Sequence, residues 1–286
     1  MSGCPISVII PTFNRVTMVG RAIDSVFRQT LPCNELIVVD DGSTDGSPEL
    51  LVKLQKHSGI PMRIITTSNR GPAAARNRGI EAATNDIVAF LDSDDHWHRK
   101  KLERQYPVFK DSGKYLISHT REKWLRRGEH LNQKKKHIPR HGHIFDHCLM
   151  LCGVGMSTVM ATKEIFARIG MFDETMRCCE DYDLWLRASA RYPFLLIDSP
   201  LTVKEGGRQD QVSFQYRIGM DEWRIKSIRK ILDSNVLSPD YYAAACDELE
   251  RKIDIFAGGC IKHGLETKGR LYMEIKNQYI RKAGLQ

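Results

Sequence analysis

The chain has 286 residues, 42% hydrophobic and 27% charged, with 43 Lys and Arg against 35 Asp and Glu for a formal net charge of +8. That composition excludes a disordered or low-complexity chain, and the length leaves room for one large domain or two small ones. No apolar run approaches the ~20 residues that a bilayer crossing takes, which excludes an integral membrane chain, while the basic balance favours anionic partners without naming one.

In chain order, "ISVIIPT" (6–12) is a β-branched run closed by proline and predicts a buried parallel strand. "VTMVGRAIDSVFRQT" then places Val16, Val19, Ile23, Val26 and Phe27 at helical spacing. "ELIVVDD" (35–41) reads as a second strand, and "DGSPELLVKLQKH" as a helix capped by Asp45 or Ser47. "MRIITTS" (62–68) is a third strand, and "GPAAARNRGIEAAT" a helix with Pro72 in its first turn. "DIVAFLD" (86–92) is the fourth. Strands alternating with helices predict an α/β fold with a doubly wound, mostly parallel sheet and ligands at the carboxyl ends of its strands.

Further on, "TREKWLRRGEHLNQKKKHIPRHGH" (120–143) is strongly basic. It reads as a solvated hairpin or loop, or as a contact for anionic lipid headgroups or a lipid diphosphate. "HGHIFDHCLMLC" gathers His141, His143, His147, Cys148 and Cys152, but no second Cys/His pair stands at a zinc-site spacing, so a helix with buried thiols is expected. "GVGMSTVMATKEIF" offers a small strand after glycines whose backbone, Gly155 included, is suited to close approach of a sugar. "EDYDLWLRASA" reads as a helix, with Leu184 and Trp185 as core and Asp183 as structural. From about 217 the tail turns helical, with apolar stripes in "YYAAACDELERKIDIFAGGCIKHG" and "TKGRLYMEIKNQYIRKA". The eight cysteines show no framework spacing and the first residues no signal-peptide pattern, so a reducing cytoplasm is the expected setting.

Acids mark two strand ends, Asp40–Asp41 and the cluster Asp92, Asp94, Asp95 of "FLDSDDHW". Turn chemistry is one reading of the first pair, since Asp caps backbone amides in such loops, but two acid clusters at the ligand-facing ends of a parallel sheet exceed what turns need and point to one shared ligand. The second is costly unless a cation arrives, because three carboxylates in four residues repel one another. Carboxylate oxygens suit Mg²⁺ or Mn²⁺, whose shells are completed by water and phosphates. There is no G-x-G-x-x-G after the first strand, no G-x-x-x-x-G-K-[ST] and no H-E-x-x-H, which removes the usual dehydrogenase, P-loop and zincin readings.

"VIIPTFNR", "ELIVVDDGSTDGS", "GPAAARNRGI", "FLDSDDHW", "IGMFDE" and "CCEDYDLWLR" resemble, in order and spacing, the motifs of the family-2 glycosyltransferases over roughly residues 5–215. The resemblance implies the A-type glycosyltransferase fold with a C-terminal helical extension. It also implies inverting transfer of a sugar from a nucleotide-diphospho-sugar donor to an acceptor hydroxyl, with Mn²⁺ or Mg²⁺. It divides the chain into a catalytic domain 1–215, with a nucleotide-sugar half 1–115 and an acceptor half 116–215, and an extension 216–286. By resemblance Asp41 reads the nucleobase, and Thr12 and Asn14 line the nucleotide pocket. Asp92 faces the ribose or metal shell, and Asp94 ligates the metal. Asp95 either joins that shell or caps the next helix. Arg76 lies near the nucleotide or pairs with the aspartates, and the two are compatible. Asp181 is the general base, with Glu180 beside it. Arg208, in "VKEGGRQDQVS", stands where many relatives carry a histidine; it can clamp phosphate but cannot ligate a metal.

Processive relatives carry Q-x-x-R-W and membrane spans, and this chain has neither, so transfer of a single sugar is expected. The implied setting is bacterial surface polysaccharide or glycolipid synthesis, with a saccharide or lipid-linked saccharide acceptor, in the cytoplasm or at the inner face of an anionic membrane. A nucleic-acid-binding protein would interleave aromatics with the basic run, where only Trp124 qualifies, so no nucleic acid is expected. A non-catalytic nucleotide-sugar-binding relative would lack the base, and Asp181 argues against it.

Overall fold

The computed structural model describes residues 3–283; residues 1–2 and 284–286, the outermost ends of the two predicted domains, lie outside that range. In chain order the elements are β1 (Cys4–Thr12), α1 (Val19–Phe27), β2 (Cys33–Asp40), α2 (Ser47–Lys56), β3 (Met62–Thr66), α3 (Pro72–Ala82), β4 (Ile87–Phe90) and β5 (His96–Trp97). There follow α4 (Lys101–Asp111), β6 (Ile117–Arg126), β7 (Glu129–Leu131), α5 (Phe145–Met150), β8 (Met160–Thr162), α6 (Lys163–Ile169), α7 (Glu180–Ser189) and β9 (Leu195–Gly206). The tail comprises α8 (Val212–Gln215), α9 (Met220–Leu232), α10 (Pro239–Lys262) and α11 (Glu266–Ala283).

Two compact units interleave along the chain. The first takes the residues up to His143, Gly153–Arg177 and Tyr192–Gly207; the second takes Ile144–Cys152, Cys178–Arg191 and the residues from Arg208 on. The whole sheet belongs to the first unit, in the order β3-β2-β1-β4-β8-β6-β9-β5, with β7 paired to β6. Strands β1 to β4 pair in parallel, as do β6 and β9, while β8, β5 and β7 run against their neighbours. The fold is therefore α/β with a largely parallel, mixed sheet. The β-branched runs of β1 and β2 are buried on both faces, which is why they read as continuous apolar stretches rather than alternating ones.

Register places the site. Thr12 of β1 pairs with Asp40, Asp40 with Thr66, and Ile9 with Phe90, so the loops after β1, β2 and β4 leave from one edge. Helix α1 buries Val19, Ala22, Ile23 and Val26 in the core cluster. Val16, expected at its start, is an exposed loop residue, because its amide is taken by the Asp45 carboxylate at 3.1 Å. Asp45 also accepts from the Ser47 amide at 2.9 Å at the entrance to α2, whose N-cap residue is Gly46. The basic 120–143 segment forms the β6–β7 hairpin and a short 3-10 turn at Lys135–His137, with most of its cations exposed.

In the second unit α10 packs against α9, α11 and α5, burying Ala245, Leu249, Ile253, Ala257 and Cys260 along one stripe. Its start is capped by Ser238, whose side chain accepts from the Tyr241 amide, with Pro239 in the first turn. Leu184 and Trp185 of α7 are core, as expected.

Helix α3 lies on β1 and β2 at a distance that only glycine permits: a Cβ at Gly79 would sit 2.4 Å from Cγ2 of Ile9. Gly79→Ala is expected to lower unfolding free energy by about 1–3 kcal/mol in urea titrations, and Ile9→Val in the same chain should recover part of the loss.

Candidate active site

The candidate residues divide between the two units. In the first, Asp41 is buried just past β2, where Oδ1 accepts from the Thr67 hydroxyl at 2.6 Å and the Arg70 amide at 2.9 Å. Its Oδ2 accepts from the Gly71 amide at 2.6 Å. Gly71, at φ 95°, gives α3 its N-cap, so the carboxylate lies at a helix start where amide donors and the dipole favour negative charge. Asn14, at φ 51°, joins the loops after β1 and β2: Oδ1 accepts from the amides of Thr44 at 2.8 Å and Asp45 at 3.3 Å. Thr12 is buried, and its Oγ1 has no hydrogen-bond partner among the described residues.

The acid loop after β4 is held from several sides. Arg76 of α3, buried over the ring of Phe172, pairs through Nη2 with Asp92 Oδ1 at 2.8 Å. The Asp92 amide donates to Ser157 Oγ at 3.0 Å, and that hydroxyl in turn donates to Asp95 Oδ2 at 2.7 Å. Asp95 Oδ1 accepts from the Glu205 amide at 3.3 Å. Arg21 of α1 donates to the Asp94 carbonyl at 2.9 Å and pairs with the Glu205 carboxylate. Asp95 is thus interior, bonded to the Ser157 hydroxyl and the Glu205 amide. Burial pushes its carboxyl well up from the usual range, the nearby charges of Asp94 and Asp92 push the same way, and Lys204 opposes them.

Among the described residues, no group of three or more His, Cys, Asp or Glu side chains is placed to hold a cation. Asp92 and Asp94 offer hard carboxylate oxygens on one loop, a donor set that fits Mg²⁺ or Mn²⁺ when phosphates and water fill the remaining positions. The charge that pushes Asp95 up is also the charge a cation would offset. Gly155 has a packing reason: a Cβ there would lie 1.9 Å from Glu122 Oε1. Trp97 is core, donating from Nε1 to the Ser157 carbonyl at 2.7 Å.

In the second unit, α7 begins after Cys179, which sits in the left-handed region at φ 61°. Glu180 and Tyr182 are buried, whereas Asp181 between them is half-buried. Asp181 Oδ1 accepts from the Tyr182 amide at 2.7 Å, and Oδ2 from the Cys152 thiol at 3.1 Å. The thiols of Cys178 and Cys179 hydrogen-bond to one another; that bond holds Cys178 low and, with burial and the Asp181 charge, pushes Cys179 up. Asp183 is fully buried and paired with Arg187 at 2.8 Å and Lys230 at 3.1 Å, a structural triad. Arg208 pairs with Asp210 at 3.2 Å and donates its amide to Gln211. Helix α5 buries His147 and Cys148.

Ser157, Arg21, Glu205 and Cys152 escaped the sequence-based reading. Each acts on a residue at least 29 positions away, and no local pattern marks such a partner.

Comparison with known proteins bears on the family and the fold. The family model for glycosyl transferase family 2 matches residues 7–161. A glycosyltransferase of Rickettsia felis, itself uncharacterized, is 36% identical over 203 residues, which are 69% of this chain and 32% of that protein. The chain therefore spans about a third of that relative's length. The amylovoran biosynthesis glycosyltransferase AmsB of Erwinia amylovora is 30% identical over 210 residues, 70% of this chain and 69% of its own. The solved structure of the mannosyltransferase PcManGT of Pyrobaculum calidifontis, in complex with GDP-Man and Mn²⁺, superposes with a TM-score of 0.64 at 17% identity, over 100% of this chain and 87% of that one. That likeness establishes the A-type fold. With the family match extending from β1 through the acid loop to β8, the chain belongs to glycosyl transferase family 2.

Proposed function

We propose that the protein is an inverting, metal-assisted transferase that moves one sugar from a nucleotide-diphospho-sugar to a hydroxyl of a saccharide or lipid-linked saccharide, in bacterial surface polysaccharide or glycolipid synthesis. The observation that carries the reading is the acid loop, in which Arg76 neutralises Asp92 while Ser157 and Arg21 fix the backbone on either side of Asp94. Family membership, the role named for AmsB and the GDP-Man and Mn²⁺ bound to PcManGT support it.

On this reading Asp41 and the Thr12 hydroxyl bind the nucleotide, while Asn14 acts by holding the loop from Thr44 to Asp45 in place. A divalent cation held by Asp92 and Asp94 would offset the charge growing on the leaving diphosphate. Asp181 takes the proton of the acceptor hydroxyl as that oxygen bonds to the anomeric carbon and the bond to the diphosphate breaks on the opposite face. The Tyr182 amide on Oδ1 and the Cys152 thiol on Oδ2 hold its carboxylate in one orientation. Glu180 shapes the start of α7, the Gly155 backbone approaches donor or acceptor, and Arg208 contacts a donor phosphate.

A peripheral contact with anionic lipid is a second element of the proposal. The β6–β7 hairpin and the 3-10 turn expose Lys123, Arg126, Arg127, Lys134, Lys135 and Lys136, with Leu131 and Ile138 exposed among them. Each cation near an anionic surface contributes about 1 kcal/mol. The protein should co-sediment with phosphatidylserine-containing vesicles at low salt and be released by moderate salt; failure to bind at low salt refutes the contact.

Transfer is tested with a panel of UDP-, GDP- and dTDP-sugars, with and without Mn²⁺. Asp181→Asn should lower turnover by about 10²–10⁴-fold while nucleotide still raises the melting temperature, whereas Asp94→Asn should lose the Mn²⁺-dependent part of that rise. Equal loss of nucleotide binding in both variants contradicts the assignment. Ser157→Ala removes the hydroxyl from between Asp92 and Asp95 and should cost about 1–3 kcal/mol of stability, with a raised half-saturating Mn²⁺ concentration in the transfer assay.

A further inference from the structure

Cys152 follows α5 and lies 29 residues before Asp181, within the same unit. Its thiol stands 3.1 Å from Asp181 Oδ2, while the Tyr182 amide occupies Oδ1 at 2.7 Å. An ionised carboxylate only accepts, so the sulfur must be the donor. Two donors on two different oxygens restrict rotation of the carboxylate about its Cβ–Cγ bond. Each oxygen still keeps a lone pair for an incoming hydroxyl proton. The neighbouring thiols of Cys178 and Cys179 bond to one another, whereas Cys152 turns to the acid.

We infer that Cys152 is a positioning residue for the general base: its thiol orients the Asp181 carboxylate. The inference rests on the reading of Asp181 as that base. The thiol is the donor on Oδ2. Without it that oxygen would be unrestrained.

The test compares kcat and donor KM for the wild type, Cys152→Ala, Cys152→Ser and Asp181→Asn. Cys152→Ala should lower kcat by about 3–10-fold with donor KM unchanged, because one carboxylate oxygen has lost its restraint. Cys152→Ser restores a donor; it should stay within about 3-fold of wild-type kcat. A Cys152→Ala enzyme with wild-type kcat, alongside an inactive Asp181→Asn, overturns the inference and leaves the base assignment standing. Equal loss in the Ala and Ser variants reports packing alone and also overturns it. An active Asp181→Asn overturns both.

Discussion

The acid loop depends on one buried hydroxyl. Ser157 accepts from the Asp92 amide and donates to the Asp95 carboxylate, so a single side chain fastens both ends of the loop that carries Asp94. Burying a carboxylate is costly, and here two neighbouring acids raise the cost. The fold compensates with the Ser157 donor and the Glu205 amide on Asp95, and with Arg76 on Asp92. Turning Asp95 inward leaves Asp92 and Asp94 as the loop's partly exposed acids, aligned by backbone that cannot easily shift. A site organised in this way needs little rearrangement when a cation and a diphosphate arrive.

Arg21 extends the same constraint. It pairs with Glu205 near the end of β9 and donates to the Asp94 carbonyl, so the last residues of β9 and the acid loop share one cation. Glu205 also gives its amide to Asp95. The loop and this strand end are therefore fastened twice, once through a surface ion pair and once through a partly buried hydrogen bond. The surface pair alone would contribute little.

Much of the first unit was legible because its signals are local. Continuous β-branched runs marked β1 and β2, a first-turn proline marked α3, and acids marked the carboxyl ends of β2 and β4. Legibility failed where side chains reach across the chain. No local pattern showed that the Asn14 amide oxygen accepts from backbone 30 residues away. Val16 has the spacing of a helix residue, yet the Asp45 carboxylate captures its amide and delays α1 to Val19. Asp95 could not be placed without Ser157, 62 residues along. The interleaving of the units was equally hidden, since α5 and α7 leave the run of the sheet to join the tail helices, and only tertiary packing decides that.

On the reading of Asp181 as base, a single displacement by an acceptor oxygen, with no covalent enzyme intermediate, inverts the anomeric centre. The most direct measurement is the anomeric configuration of the first-formed product by proton NMR, using an α-linked nucleotide-sugar donor. A β-glycoside is expected, and an α-glycoside would contradict the mechanism.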